Sequence, residues 1–128
     1  MTAYPLPQIR ADLAGRLATV PGLRASPYMV ANPQVPMACV IPRRGDYLAD
    51  LERGDADHDL EVWIYVNPAD LEQAQKSIDE YLSPTGAVLA AIEQGGSFRV
   101  SGYDDYARMV DVAGSSLMGV ALQVQVTR

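Results

Sequence analysis

The chain has 128 residues, enough for one domain around a single core, and 1–128 is read as one such domain. Its 48% hydrophobic content is too high for a wholly disordered chain, while no run approaches the roughly 20 apolar residues of a membrane span. A net charge of −6 argues against general nucleic-acid binding, which needs a basic footprint, and the single cysteine, Cys39, excludes an intrachain disulfide or a multi-cysteine zinc site.

Met-Thr-Ala-Tyr-Pro at the N-terminus has neither the basic nor the apolar region of a signal peptide. The expectation is a soluble domain, cytosolic or carried in a particle. Charge is unevenly spread: residues 1–42 hold one acid and three arginines, whereas residues 43–128 hold fifteen acids and seven bases.

The first predicted element is a helix over about 7–20, opened by Pro7 in its first turn and lined by Ile9, Leu13 and Leu17. Pro21-Gly22 stops it. Pro27, Pro33, Pro36 and Pro42 make a central strand improbable across 23–44, leaving short extended pieces at about 24–30 and 37–41. Gly45 to Leu51 is ambiguous between strand and helix, and Arg53-Gly54-Asp55 reads as a hairpin loop. Asp59–Val66 alternates with period two: Leu60, Val62, Ile64 and Val66 on one side, Glu61, Trp63 and Tyr65 on the other.

Asn67-Pro68 predicts a second helix, with asparagine as N-cap and an apolar line of Leu71, Ala74, Ile78 and Tyr81. Ser83-Pro84 predicts a shorter third helix, about 84–94, ended by Gly95-Gly96. Strands are predicted at Ser97–Gly102 and Tyr106–Val112 around a Tyr103-Asp104-Asp105 turn. After Ala113-Gly114-Ser115-Ser116, the last strand, Leu117–Thr127, sets Met118, Val120, Leu122, Val124 and Val126 on one face. The element order predicts an α+β fold: an antiparallel or mixed sheet covered on one face by two or three helices.

Motifs for chemistry are weak. Asp55-Ala56-Asp57-His58-Asp59-Leu60-Glu61 lacks the glycine and the final glutamate of a calcium loop, since Leu60 and Val66 stand there, and reads as a solvated loop entering a strand. His58 and Cys39 have no nucleophile motif around them, and Cys39 in an apolar strand reads as packing. Tyr103-Asp104-Asp105-Tyr106 pairs two carboxylates without a phosphate-binding loop beside them and reads as a charged turn.

Several segments in order carry a resemblance: Leu17-Ala18-Thr19-Val20-Pro21-Gly22-Leu23-Arg24; Asn32-Pro33-Gln34-Val35-Pro36-Met37-Ala38-Cys39-Val40; Asp46-Tyr47 with Arg53-Gly54; and Val62-Trp63-Ile64-Tyr65-Val66. Ala74-Gln75, Ile78-Asp79, Tyr81-Leu82-Ser83-Pro84-Thr85-Gly86 and Leu117-Met118-Gly119-Val120 complete the set. In this order the chain resembles the tail terminator proteins of long-tailed phages, with the Tyr-Leu-x-Pro-x-Gly junction as the most specific sign. It departs from them in lacking a serine-rich start at 87–91 and in the short loop after Gly95-Gly96. The resemblance implies a homohexameric ring that caps the tail tube, ends its polymerisation and joins the tail to the neck. It implies contacts with further copies of the chain, the major tail tube protein and the head-closure connector, with DNA passing through the lumen without specific binding. It implies a place in the tail–neck region of the virion, with assembly in the host cytoplasm, and neither catalysis nor a cofactor or metal.

Two segments that combine tyrosine with charge are the candidate interface. One is the loop with Tyr47, Arg53, Asp55 and Asp57; the other is Tyr103, Asp104, Asp105 and Tyr106. The alternatives are another neck connector, such as a head-closure or tail-completion subunit, and a small α+β enzyme or ligand-binding module using the Asp55–Glu61 and Asp104-Asp105 acids.

Overall fold

Helix α1, Leu6–Leu17, starts where Pro5 and Pro7 fit the unpaired N–H groups of a first turn. Ile9, Leu13, Ala14 and Leu17 form its buried stripe. A computed structural model describes residues 5–31, 33–46, 57–112 and 114–126, and in them α1 leads into a short strand β1, Arg24–Ser26, then β2, Met37–Asp46, and β3, Asp57–Val66. Helices α2, Leu71–Tyr81, and α3, Ala87–Glu93, follow, then a 3₁₀ turn, Gln94–Gly96, and strands β4, Phe98–Val112, and β5, Ser115–Val126.

The strands form one mixed sheet in the order β1-β2-β3-β5-β4. Only β1 and β2 are parallel; the other three pairings are antiparallel. Period-two alternation decides which face is which. Leu60, Val62, Ile64 and Val66 of β3 and Met118, Val120, Leu122 and Val124 of β5 face the three helices and join Leu13, Leu17, Ile78, Val88 and Ile92 in one buried cluster. This is the expected α+β arrangement with helices on one face.

The opposite face holds a smaller cluster of Met37, Cys39, Tyr65 and Leu117. The connection from β1 to β2, residues 27–36, covers part of it, bringing Val30 and Val35 against those side chains. Parallel neighbours need a crossover, and here a proline-rich loop serves instead of a helix.

Strand β1 ends at Ser26 rather than near 30, β3 starts at Asp57 rather than 59, and β5 starts at Ser115, inside the expected turn. Four further boundaries differ from the sequence expectation. Strand β2 runs through Pro42 to Asp46 rather than stopping near 41. Strand β1 covers only Met37 to Cys39 of it, and the register slips between Pro42 and Arg44, so the proline sits at a bulge beyond its outer neighbour, where a missing N–H is tolerated. Helix α2 begins at Leu71, with Asp70 as N-cap accepting from the Gln73 N–H at 3.1 Å. Asn67 instead accepts from the Ala69 N–H at 2.9 Å, a turn that precedes the helix. Leu71, expected on the apolar line, is exposed.

Helix α3 begins at Ala87, because Ser83–Gly86 closes a turn in which the Gly86 N–H donates to the Ser83 carbonyl at 3.0 Å. A Cβ on Gly86 would lie 3.1 Å from the Glu80 carbonyl oxygen and 3.2 Å from Ser83, so this junction favours glycine through close approach. The fourth difference is the largest. Residues 98–112 form one continuous strand: Tyr103 and Asp104 of the expected turn pair with β5, and a bulge follows at 105–107.

Candidate interaction surface

The bulge in β4 shapes the first candidate surface. Pairing with β5 holds from Gly102 to Asp104 and resumes at Arg108, leaving residues 105–107 as extra chain. Asp105 and Ala107 take left-handed backbone, with φ of 57° and 54°. Aspartate tolerates that region better than most residues; for alanine it costs on the order of 1–2 kcal/mol. Such irregularities re-aim a side chain, and here the redirected side chain is Tyr106, whose hydroxyl donates to the Asp79 carboxylate on α2.

The sheet register places its neighbours. Tyr103 pairs with Leu122 and Met109 with Met118, both partners belonging to the helical side, so Tyr103 and Met109 face that side too. Neither is covered by a helix, and Tyr103, Tyr106 and Met109 are all exposed. The rings of Tyr103 and Tyr106 lie 6.3 Å apart at a tilt of 57°. Asp105 forms a 3.6 Å ion pair with Arg108, exposed and therefore of little energetic weight.

Asp104 lies on the other face. The Gln123 amide donates to the Asp104 carboxylate at 2.9 Å and to Glu61 at 3.0 Å, while its oxygen accepts from Arg43 at 3.1 Å. One amide with two donors and one acceptor thereby links β2, β3, β4 and β5 and keeps two carboxylates bridged. Trp63 and Tyr65 stack beside this network, with ring centroids 6.0 Å apart. They lie close over Gly119, where a Cβ would come within 3.1 Å of Tyr65 and 3.2 Å of Trp63.

The four residues expected as one turn are thus divided between faces: Tyr103 and Tyr106 on the helical side, Asp104 on the open side, Asp105 in the bulge. Tyr47, Arg53 and Asp55 lie outside the described residues, and Asp57 is described only as the first residue of β3. The sequence reading missed Tyr28, Met29 and Met109, all exposed. Tyr28 and Met29 sit in a proline-rich stretch without periodicity, so no pattern marks them; Met109 is on the period-two face shared with Met118, which makes it look like core.

Two open grooves flank α2. One, of about 330 Å³, is lined by Val35, Pro36, Val66, Asp70, Ala74 and Tyr81. The other, of about 390 Å³, is lined by Val20, Pro21, Glu80, Tyr81, Gly86 and Val88. Asp70, the acid of the first, is already engaged in capping α2. Among the described residues no three His, Cys, Asp or Glu side chains converge as a metal site would need, and no helix is long and apolar enough to cross a membrane.

Cys39 is buried, and burial pushes its thiol up despite a hydrogen bond with the Val30 backbone that acts the other way. A raised thiol is a poor nucleophile at neutral pH. The Tyr106 phenol is also pushed up, first by its hydrogen bond to Asp79, then by desolvation and by the Asp79 and Tyr103 charges. Ionising the phenol would place two negative charges in contact and remove the donated proton.

The folded-state value therefore lies above the unfolded one. The stabilisation from this contact is complete below the ordinary phenol range near 10 and is lost as pH rises through the folded value. Asp79→Asn is expected to bring Tyr106 back toward the ordinary range. The check is an alkaline tyrosinate absorbance titration, with Tyr106→Phe identifying the Tyr106 component. No change on Asp79→Asn would refute this cause.

Compared with models of known protein families the chain matches none, and compared with curated proteins it has no match either.

Proposed function

We propose that this chain is a tail terminator of a long-tailed phage, a subunit of a homohexameric ring that caps the tail tube, ends its polymerisation and joins the tail to the neck. The observation that carries this reading is the ordered set of segments spanning nearly the whole sequence. The most specific of them, Tyr81-Leu82-Ser83-Pro84-Thr85-Gly86, has a physical reason in this fold. Pro84 prevents α2 from continuing, the Gly86 N–H closes a turn on the Ser83 carbonyl, and Gly86 passes close to the Glu80 carbonyl, which a larger residue would crowd.

On this reading the working parts are surfaces, and no bond is made or broken. The end of a tube of stacked rings presents the edges and apolar patches that recruit the next ring. A cap matches that end on one side and offers nothing equivalent on the other. The exposed tyrosines of β4 suit the contacts that build such a cap, within the ring or with the tube, since each supplies a large area at low entropic cost. The partners are further copies of the chain, the major tail tube protein and the head-closure connector. With a net charge of −6 the chain repels rather than retains DNA passing through the lumen.

Purified tail tube protein, polymerised with this chain present, is expected to give shorter tubes. A Tyr103→Ala, Tyr106→Ala variant is expected to stay folded and lose that effect, because both side chains are exposed. Tube lengths unchanged by the wild-type chain would overturn the capping reading. Undiminished capping by the double variant would move the contact away from β4.

A further inference from the structure

We infer that copies of this chain associate head to tail, the outer strand β4 of one seating against the corner formed by α1 and the loop after β1 of the next. The inference rests on the ring reading and names its contact surfaces. Among the described residues the exposed large apolar side chains fall into two groups, with Leu71 the remaining one. Tyr103, Tyr106 and Met109 belong to β4. Tyr28 and Met29 follow directly on β1, and both are at least half exposed, Met29 at 65%.

β1 and β4 are the two outer strands of the sheet, four strand spacings or roughly 19 Å apart. The first group lies toward the helical side through its register with β5, and the second adjoins α1, where the Arg10 guanidinium lies 4.1 Å over the Tyr28 ring. Arg10 also donates to the Pro27 carbonyl at 2.6 Å and the Val40 carbonyl at 2.9 Å. These bonds pin the corner, so its shape does not depend on a partner.

Two unlike patches at opposite edges are what a heterologous contact requires; an isologous dimer would need one patch that matches itself. Charge identifies the occupant as a second copy. The α1–loop corner carries Arg10 and Arg24, with Asp12 about 200° around α1 from Arg10. β4, with Asp79 of α2 beside it, carries four acids, Asp79, Asp104, Asp105 and Asp111, against two cations, Arg99 and Arg108. Either corner facing its own kind brings like charges together. The basic corner facing the acidic one pairs them, with tyrosine and methionine as the contact area between.

The test is cysteine cross-linking with a short bis-maleimide, with the wild-type chain as control for Cys39, which is buried. Met29→Cys and Met109→Cys alter exposed side chains and should leave the fold intact. Neither variant alone is expected to form covalent dimers. Their mixture is expected to give a dimer, the double variant a ladder ending in a closed covalent ring, and added salt to lower both yields. Dimers from Met109→Cys alone would overturn the inference in favour of a two-fold β4 contact. A wild-type oligomer by light scattering, with no ladder from the double variant, would overturn it while leaving the ring reading in place. A chain that stays monomeric at all concentrations, with no cross-link from the mixture, would also overturn it.

Discussion

Leu122→Asp is expected to abolish folding. Leu122 is 2% exposed and lies in β5, opposite Val62 of β3 and Tyr103 of β4, facing the helices. An aspartate there has no cation among its neighbours in the main cluster, which is wholly apolar. It must either be buried charged or take up a proton, and the loss of leucine packing adds to that cost. The total is several kcal/mol, against a stability of about 5–15 kcal/mol for a domain of this kind. Circular dichroism should show no cooperative thermal transition. A melt within a few degrees of wild type would mean that this face of β5 is not core and that the register is wrong.

Phe98→Ala is expected to cost about 3–5 kcal/mol, the range for removing a buried aromatic ring. Phe98, the only phenylalanine in the chain, is 2% exposed and opens β4 at the point where α3 gives way to the sheet. Arg16 of α1 lies over its ring at 5.3 Å and donates to the Gln94 carbonyl, so the ring also supports the contact of α1 with the end of α3. Phe98→Leu retains most of the volume and should cost well under half as much. Urea denaturation distinguishes the two. Equal, small losses for both variants would show that the ring packs less closely than its burial implies.

The parts of the fold that were legible in the sequence are those where one periodicity runs unopposed. Ile9, Leu13 and Leu17 repeat on one side of α1, and Leu60 to Val66 and Met118 to Val126 alternate without interruption, so both the element and its buried face follow from the pattern. The reading went astray where local and long-range preferences disagree. Asn67-Pro68 has the chemistry of a helix start, but Asp70 three residues later offers a second cap, and the Asn67 side chain is taken by the Ala69 N–H. Asp104-Asp105 has the chemistry of a turn, yet β5 presents a continuous ladder on both sides of it, and the chain accommodates the excess as a bulge.

The candidate surface was legible to a lesser degree. Tyrosine next to charge marked Tyr103 and Tyr106 as exposed, but assigning faces depends on register, and the bulge changes register within that very motif. Asp104 is thereby sent to the open face and Tyr106 toward α2. The Tyr28–Met29 corner depends on Arg10 reaching from α1 to the Pro27 and Val40 carbonyls, contacts 17 and 30 residues apart in sequence that no local pattern encodes.

Whether the chain ends tail tube growth is decided by electron microscopy of particles made by a phage from which its gene has been removed. A terminator's loss is expected to give tails of abnormal and variable length, without heads, and uniform joined tails are expected to return when the wild-type chain is supplied in trans. Tails of normal, uniform length in the absence of the chain, whether or not joined to heads, would contradict the terminator reading.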